Sequence, residues 1–552
     1  MSEKVTVGEV VARFLEACGV TCAFGVISIH NMPMLDALGR RGRIRFVPAR
    51  GEAGAVNMAD AHARVRGALG VAVTSTGTGA GNAAGALVEA QTAGTPLLHL
   101  TGQIETEYLD RNLGYIHEAR DQLGMLRAVS KAAFRVTSPE GALDVLRDAV
   151  RQALAPPAGP VSVEIPIDIQ EALIDRPADL APYPIAVPVP DPQALDALAE
   201  RLARARRPLL WLGGGARHAA AAAARLAGLG VGIVTSTQGR GIVPEDHPRS
   251  LGALHAGPEV ERFYRSCDAM LVAGSRLRGN ETLRYRLALP QPLYQIDADP
   301  AAAERAYPLA AFVHGDCRLA LDGLAGRLAG RLRIDPGFDA DLAAAREAAA
   351  ATLRAALGPY AALVEAVQRH AGHDFLWVRD VTVSNSTWGN RLLRIFGPRD
   401  GVHALGGGIG QGLPMGIGAA LAADGRRTLC LVGDGGLMLS AGELATAAQE
   451  RVALTLIVMN SRGYEVIKNI QDAKFGGRHY YADLLTPDFE RLAASLGWRH
   501  ERLADLSLAG AALRRAAAGS GPAMIEVEMA AIGGFAAKYA GPPVRTGAEA
   551  QP

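Results

Sequence analysis

Two rhythms alternate along this chain. Short runs that are apolar at every position are followed by longer stretches rich in alanine and opened or closed by glycine. A continuously apolar run marks a strand buried on both faces, and the stretches between are long enough for crossover helices. In the first unit the pattern predicts strands over residues 22–28, 69–74, 96–101 and 160–167, with helices over 49–66 and 77–93. The proline-dense stretch 177–192 admits no regular structure and reads as a linker. A second unit follows, with strands over 208–212, 269–273 and 292–296, and an alanine-rich helix over 339–357 leads into a third. The expected division is 1–176, a linker 177–190, 191–335, a helical linker 336–358, 359–534, and a tail or flap 535–552. The fold class is therefore α/β, with three doubly wound parallel-sheet domains.

Composition narrows the picture mainly by exclusion. A length of 552 residues suits three or four domains, and a net charge of +1 gives no reason to expect a nucleic-acid or membrane partner. Five scattered cysteines read as reduced, buried thiols. The opening residues lack the order of a signal peptide, and no apolar run approaches a membrane span, so a cytoplasmic location is expected.

The chemistry concentrates at Val432-Gly433-Asp434-Gly435-Gly436, the end of an apolar run, and at Met459-Asn460-Ser461, the end of the next one. Asp434 offers a hard anionic oxygen for a divalent cation, and Gly433, Gly435 and Gly436 let backbone approach a phosphate closely. The two strand ends lie together in a parallel sheet, where open α/β sheets bind ligands. This pair resembles the GDG…NN signature of thiamine diphosphate enzymes. The resemblance implies a magnesium ion held by Asp434, Ser461 and the Gly463 carbonyl, with Asn460 as a substitute for the serine.

Other segments resemble the same family, in the same order along nearly the whole chain. Glu52, in Ala49-Arg50-Gly51-Glu52-Ala53-Gly54, falls where the family places the glutamate that shares a proton with the cofactor's aminopyrimidine. Leu405-Gly406-Gly407-Gly408-Ile409-Gly410-Gln411-Gly412 resembles the segment that clamps the cofactor. There Ile409 would wedge between its rings and Gly407 would accept from its amino group. Ser384 and Asn385 stand where polar side chains meet the diphosphate, Asn82 closes a loop like the family's TSGPG-x-x-N, and Tyr464 belongs to the pocket wall. The three domains are then pyrimidine-binding, central and diphosphate-binding.

The substrate side is more individual. His30 matches a histidine of benzaldehyde-lyase-type carboligases, and His117-Glu118 is closer to oxalyl-CoA decarboxylases and 2-hydroxyacyl-CoA lyases than to acetohydroxyacid synthases. The resemblance implies proton relay by His30 and Glu118, and substrate contacts from His30, Gln103, His117, Val466 and Ile467. It implies an acetolactate-synthase-like lyase, carboligase or 2-oxo acid decarboxylase working through a thiazolium ylid and an enamine. The alternatives are an enzyme of the 2-hydroxyacyl-CoA lyase or oxalyl-CoA decarboxylase type, for which Lys538 or Arg545 would meet the CoA, and a non-catalytic oligomer partner. The substrate is a small carbonyl compound: a 2-oxo acid, a 2-hydroxy ketone or an acyl-CoA. Glu52 and Asp434 belong to separate domains, so a homodimer or homotetramer is expected. Gly213-Gly214-Gly215 follows a strand of the second unit without forming a dinucleotide fingerprint, and FAD is expected to be absent or vestigial.

Overall fold

A computed structural model describes residues 3–541. Three parallel sheets are arranged along the chain, with six, five and six strands. The first sheet contains Cys22–Gly25, Arg45–Pro48, Gly70–Thr74, Leu97–Gln103, Ala132–Arg135 and Pro160–Pro166. Counted within that sheet, their spatial order is 2-1-3-4-6-5. The third sheet, built from Phe375–Arg379, Gly401–His403, Arg427–Gly433, Leu454–Asn460, Arg499–Leu503 and Ala523–Glu528, has the same order. The central sheet is shorter, with order 2-1-3-4-5 over Pro208–Leu212, Gly232–Thr235, Ala269–Ala273, Leu293–Asp297 and Ala311–His314. All three change direction between their first and third strands, and a crevice opens beyond the carboxyl ends there.

Local chemistry sets where the elements stop. The strand expected over 22–28 ends at Gly25, where a Cβ would meet the Val73 carbonyl at 2.3 Å. The helix expected from 49 begins at Glu52 and runs to Arg66, because Arg50 and Gly51 form the turn into it. Gly77, at φ +57°, turns the chain into helix Thr78–Ala93. No regular element occurs between Asp175 and Pro192, and Pro192 then opens a helix capped by Asp191.

The first and third domains meet through two helices of small residues, Glu52–Arg66 and Gly412–Ala422. Their backbones touch: a Cβ on Gly418 would lie 2.1 Å from the Met58 carbonyl oxygen. One apolar cluster accordingly runs from Val56 and Met58 through Met415 and Ile417 to Cys430 and Val432. No helix among the described residues is long and apolar enough to cross a membrane.

Candidate active site

At the crevice of the third sheet, Asp434 begins a short helix immediately after strand Arg427–Gly433. Its side chain is buried and accepts from the Gly463 N–H at 2.9 Å, and burial raises its pKa. Ser461 Oγ donates to the Gly463 carbonyl at 3.1 Å. A carboxylate, a hydroxyl and a backbone carbonyl thus share one corner, a hard-oxygen set suited to a magnesium ion that also keeps water and phosphate ligands. Asn460 is turned away from it. Its Nδ2 donates to Glu526 Oε1 at 2.6 Å and its Oδ1 accepts from the Arg462 N–H at 3.2 Å. Of the two strand-end residues, Ser461 is the one beside Asp434 and Gly463.

Beside this corner the chain is shaped for an anion and a bulky ligand. A Cβ on Gly435 would lie 2.6 Å from the Tyr464 ring, and one on Gly436 would lie 2.7 Å from Asp380 Oδ2. Gly407 and Gly410 have φ of +86° and +85°, a conformation that favours glycine. Ser384 Oγ, Asn385 Oδ1 and Gln411 Oε1 are buried without a partner. Buried polar atoms left unpaired are costly, so these have the character of groups awaiting a polar ligand. The Ser384 hydroxyl, the glycines and the hard-oxygen corner fit thiamine diphosphate and its metal. One cavity of about 600 Å³ is lined by Asn385, Gly407, Gly435, Asp434, Ser461 and Gly463, with Ser384 and Asn460 outside its lining. Ile409, Val466 and Ile467 form part of its apolar wall.

Four residues here carry no obvious sequence signal. Asp380, at the end of the neighbouring strand, accepts from the Gly410 N–H at 2.9 Å and fixes the glycine segment. His403 lines the cavity near Asn385, and burial holds its pKa well below the usual histidine value, so it is neutral at pH 7. Glu89 and Glu443 act between domains. Glu89, on the first-domain helix, accepts from the Leu405 N–H at 2.7 Å and from the Gly406 N–H, and Arg64 donates to it at 3.0 Å. Glu443, on the third domain, accepts from the Arg50 N–H at 3.1 Å, two residues before Glu52.

The first-domain candidates gather elsewhere. Glu52 lies over the start of helix Thr78–Ala93, and its Oε2 accepts from Asn82 Nδ2 at 3.2 Å. His30 is buried, with Nδ1 unpartnered and the His117 ring 5.2 Å away. Burial and the neighbouring histidine lower its pKa. Glu118 accepts from the Tyr115 N–H at 3.0 Å. Gln103 is buried in a network: it accepts from Thr76 Oγ1 at 2.9 Å and from the Ile104 N–H at 2.8 Å, and donates to Glu164 at 3.3 Å. None of these residues lines the Asp434 cavity.

A separate cavity of about 350 Å³ lies at the crevice of the central sheet, between Gly214 and Gly215 on one side and Asp297 and Asp316 on the other. Of the tail, Tyr539 and Gly541 line the Asp434 cavity, while Lys538 pairs with Asp472 at 2.6 Å. Arg545 lies outside the described residues.

A duplicated sheet order, a cation corner beside a glycine cradle, and a glutamate opening a helix in the other domain define a thiamine diphosphate enzyme. The thiamine pyrophosphate enzyme N-terminal, central and C-terminal domains match residues 5–125, 195–324 and 382–527. The chain belongs to this family. It is 35% identical to the probable 2-ketoarginine decarboxylase AruI of Pseudomonas aeruginosa, over 95% of this chain and 94% of that protein. It is 28% identical to the acetolactate synthase isozyme 1 large subunit of Escherichia coli, over 96% and 94%. A probable acetolactate synthase large subunit of Methanocaldococcus jannaschii is 26% identical, over 90% and 87%.

Proposed function

We propose that this protein is a thiamine diphosphate- and magnesium-dependent enzyme that decarboxylates a 2-oxo acid and releases an aldehyde or joins the product to a second carbonyl compound. The observation that carries this reading is the single cavity joining the Asp434–Ser461–Gly463 corner to the glycine cradle and the apolar wall of Ile409 and Val466. Bound thiamine diphosphate supplies a carbon nucleophile for a carbonyl and takes up the electron pair released when the adjacent carbon–carbon bond breaks. Asp434, Ser461 and the Gly463 carbonyl would hold the metal, and Ser384, Asn385 and His403 would meet the diphosphate. Ile409 and Tyr464 would fix the rings, with Gly407 accepting at the amino group. Glu52 would hold the proton that activates the cofactor.

Because Glu52 lies outside the Asp434 cavity, the working unit is a homodimer in which each site takes Glu52 from a second copy, with a homotetramer as a pair of such dimers. Exposed apolar side chains support this: Ile27, Ile29 and Ile116 around His30 and His117, and Leu439 beside the glycine cradle. In the assembled site His30, kept neutral by burial, would pass a proton to the substrate oxygen with His117 and Glu118 nearby. The name of the 35%-identical relative favours decarboxylation over lysis of an acyl-CoA.

The test is a donor screen with added thiamine diphosphate and magnesium, comparing wild type with Glu52→Gln. Carbon dioxide release that collapses in Glu52→Gln supports the reading. Turnover of an acyl-CoA alone would replace it with the lyase. Failure to bind the cofactor would leave a non-catalytic partner.

A further inference from the structure

The Asp434 cavity has a second end, formed with the central domain, and there a cation stands without a counter-charge. Arg391 follows the π-helical turn Asn385–Gly389 and lines the cavity with His255, Asn280 and Asn390. Its side chain makes no hydrogen bond or ion pair with any described residue, and burial depresses its pKa. Two neighbours each have one unpartnered polar atom. His255 is 5% exposed with Nδ1 unpartnered, and Asn390 Oδ1 is buried and unpartnered. Burial pushes His255 down to about 4, so it is a neutral imidazole at pH 7.

No carboxylate of the cavity belongs to Arg391. Glu281 pairs with Arg278 at 3.4 Å and accepts from the Thr237 N–H at 2.7 Å. Asp434 is held at the metal corner, and the charge of Glu465 acts on Tyr360 and Lys538 instead. A half-buried guanidinium without an anion is poorly satisfied, and its planar fork matches a carboxylate. The carboxylate that leaves as carbon dioxide has to sit near the reacting carbon. Anchoring it on a cation would stabilise the ground state and slow its loss. A second carboxylate farther along the substrate carries no such penalty.

We propose that Arg391, with the amide N–H₂ of Asn390 beside it, docks a distal carboxylate of the substrate, so that the preferred substrate is a 2-oxo dicarboxylic acid. This rests on the reading of the enzyme as acting on 2-oxo acids. The experiment compares holoenzyme turnover of 2-oxoglutarate and 2-oxoadipate with that of 2-oxopentanoate, 2-oxohexanoate and 5-guanidino-2-oxopentanoate. It uses wild type, Arg391→Met and Arg391→Lys, with thiamine diphosphate affinity and Tm measured in each.

In wild type the dicarboxylates should be favoured by about 30-fold in kcat/KM. Arg391→Met should lose that preference through KM and treat the uncharged donors as wild type does. Arg391→Lys should keep part of it. Cofactor affinity should stay unchanged, and the Tm of cofactor-free Arg391→Met should not fall, because Arg391 makes no hydrogen bond or ion pair that the substitution could break. Equal losses on all donors would overturn the proposal, as would a wild-type preference for uncharged or guanidino donors. A fall in cofactor affinity would assign Arg391 to the diphosphate instead. If no 2-oxo acid turns over at all, the reaction assignment fails, and calorimetric binding of 2-oxoglutarate to wild type and Arg391→Met then decides the anion site separately.

Discussion

The first and third domains share a strand order and place their carboxylates differently. In the third, Asp434 stands at the end of the third strand, in the crevice, beside Ser461 and Gly463. In the first, Glu52 opens the helix after the second strand and leans over the next helix towards Asn82. The same sheet thus ends in a carboxylate beside a hydroxyl and a carbonyl in one copy, and in a carboxyl that opens a helix in the other. What the domains do for each other within one chain is different again. Glu89 of the first grips the Leu405–Gly406 backbone of the third, and Glu443 of the third grips the Arg50 backbone of the first. Each domain holds the other's loop in place, while Glu52 and Asp434 lie in separate places.

The largest expected effect separates the two carboxylates. Glu52→Gln should lower kcat by roughly 10³-fold while the cofactor still binds, since general acid–base groups contribute about that much. Asp434→Asn should abolish the magnesium dependence of cofactor binding. Calorimetric titration of each variant with thiamine diphosphate, with and without magnesium, checks the contrast. If both variants lose cofactor equally, the division of labour is wrong.

Complementation sharpens it. In a dimer whose sites draw Glu52 from one copy and Asp434 from the other, an equimolar mixed refold of the two inactive variants leaves about a quarter of all sites intact. Activity should return to about that fraction of wild type. No recovery would mean that both residues act from the same chain.

A smaller effect tests the cross-braces. Glu89→Gln and Glu443→Gln each replace a buried acceptor of backbone N–H groups with an amide whose second half is a donor. Each should cost about 1–3 kcal/mol in stability. Glu89→Gln should weaken cofactor binding by loosening the segment before Gly407, whereas Glu443→Gln should lower kcat by loosening the turn before Glu52. Chemical denaturation, cofactor titration and kcat in both variants separate these outcomes.

These braces were also where the sequence was mute. The sheets were legible because their strands are buried on both faces and read as unbroken apolar runs, from 69–74 to the run ending at Val432. The glycine cradle was legible because close backbone approach leaves a residue-type trace. Glu89 lies in an alanine-rich helix and reads as an ordinary solvated face. Its burial comes with tertiary contacts, from Arg64 of its own domain and the Leu405–Gly406 backbone of the third. Asn460 stood in a familiar pair, yet its amide is committed to Glu526, a residue 66 positions away. Gln103 was legible as a strand end, but its commitment to Thr76 and Glu164 depends on a loop and on which strand lies beside it, neither of which the pattern defines.

The smallest effect concerns acid stability, and it again distinguishes the domains. His99 lies at the centre of the first sheet, fully buried, between Thr74 Oγ1 at 2.9 Å and Ser162 Oγ at 3.0 Å. Burial pushes its pKa down to about 4. A histidine with a depressed folded-state pKa binds fewer protons when folded than when unfolded. Its contribution is therefore complete above the unfolded value of about 6.5 and is lost as pH falls towards about 4, at up to about 1.4 kcal/mol per pH unit. His99→Gln keeps a polar group between the two hydroxyls but does not titrate. Its stability at pH 7 should be at or below that of wild type, and the gap should narrow or reverse by pH 4.5. Chemical denaturation followed across pH 4–7 gives the comparison, and parallel curves for the two proteins would show that His99 is not the titrating group. The equivalent position in the third sheet, Leu456 on the fourth strand, carries no ionisable group. At this position only the first sheet carries a titrating group.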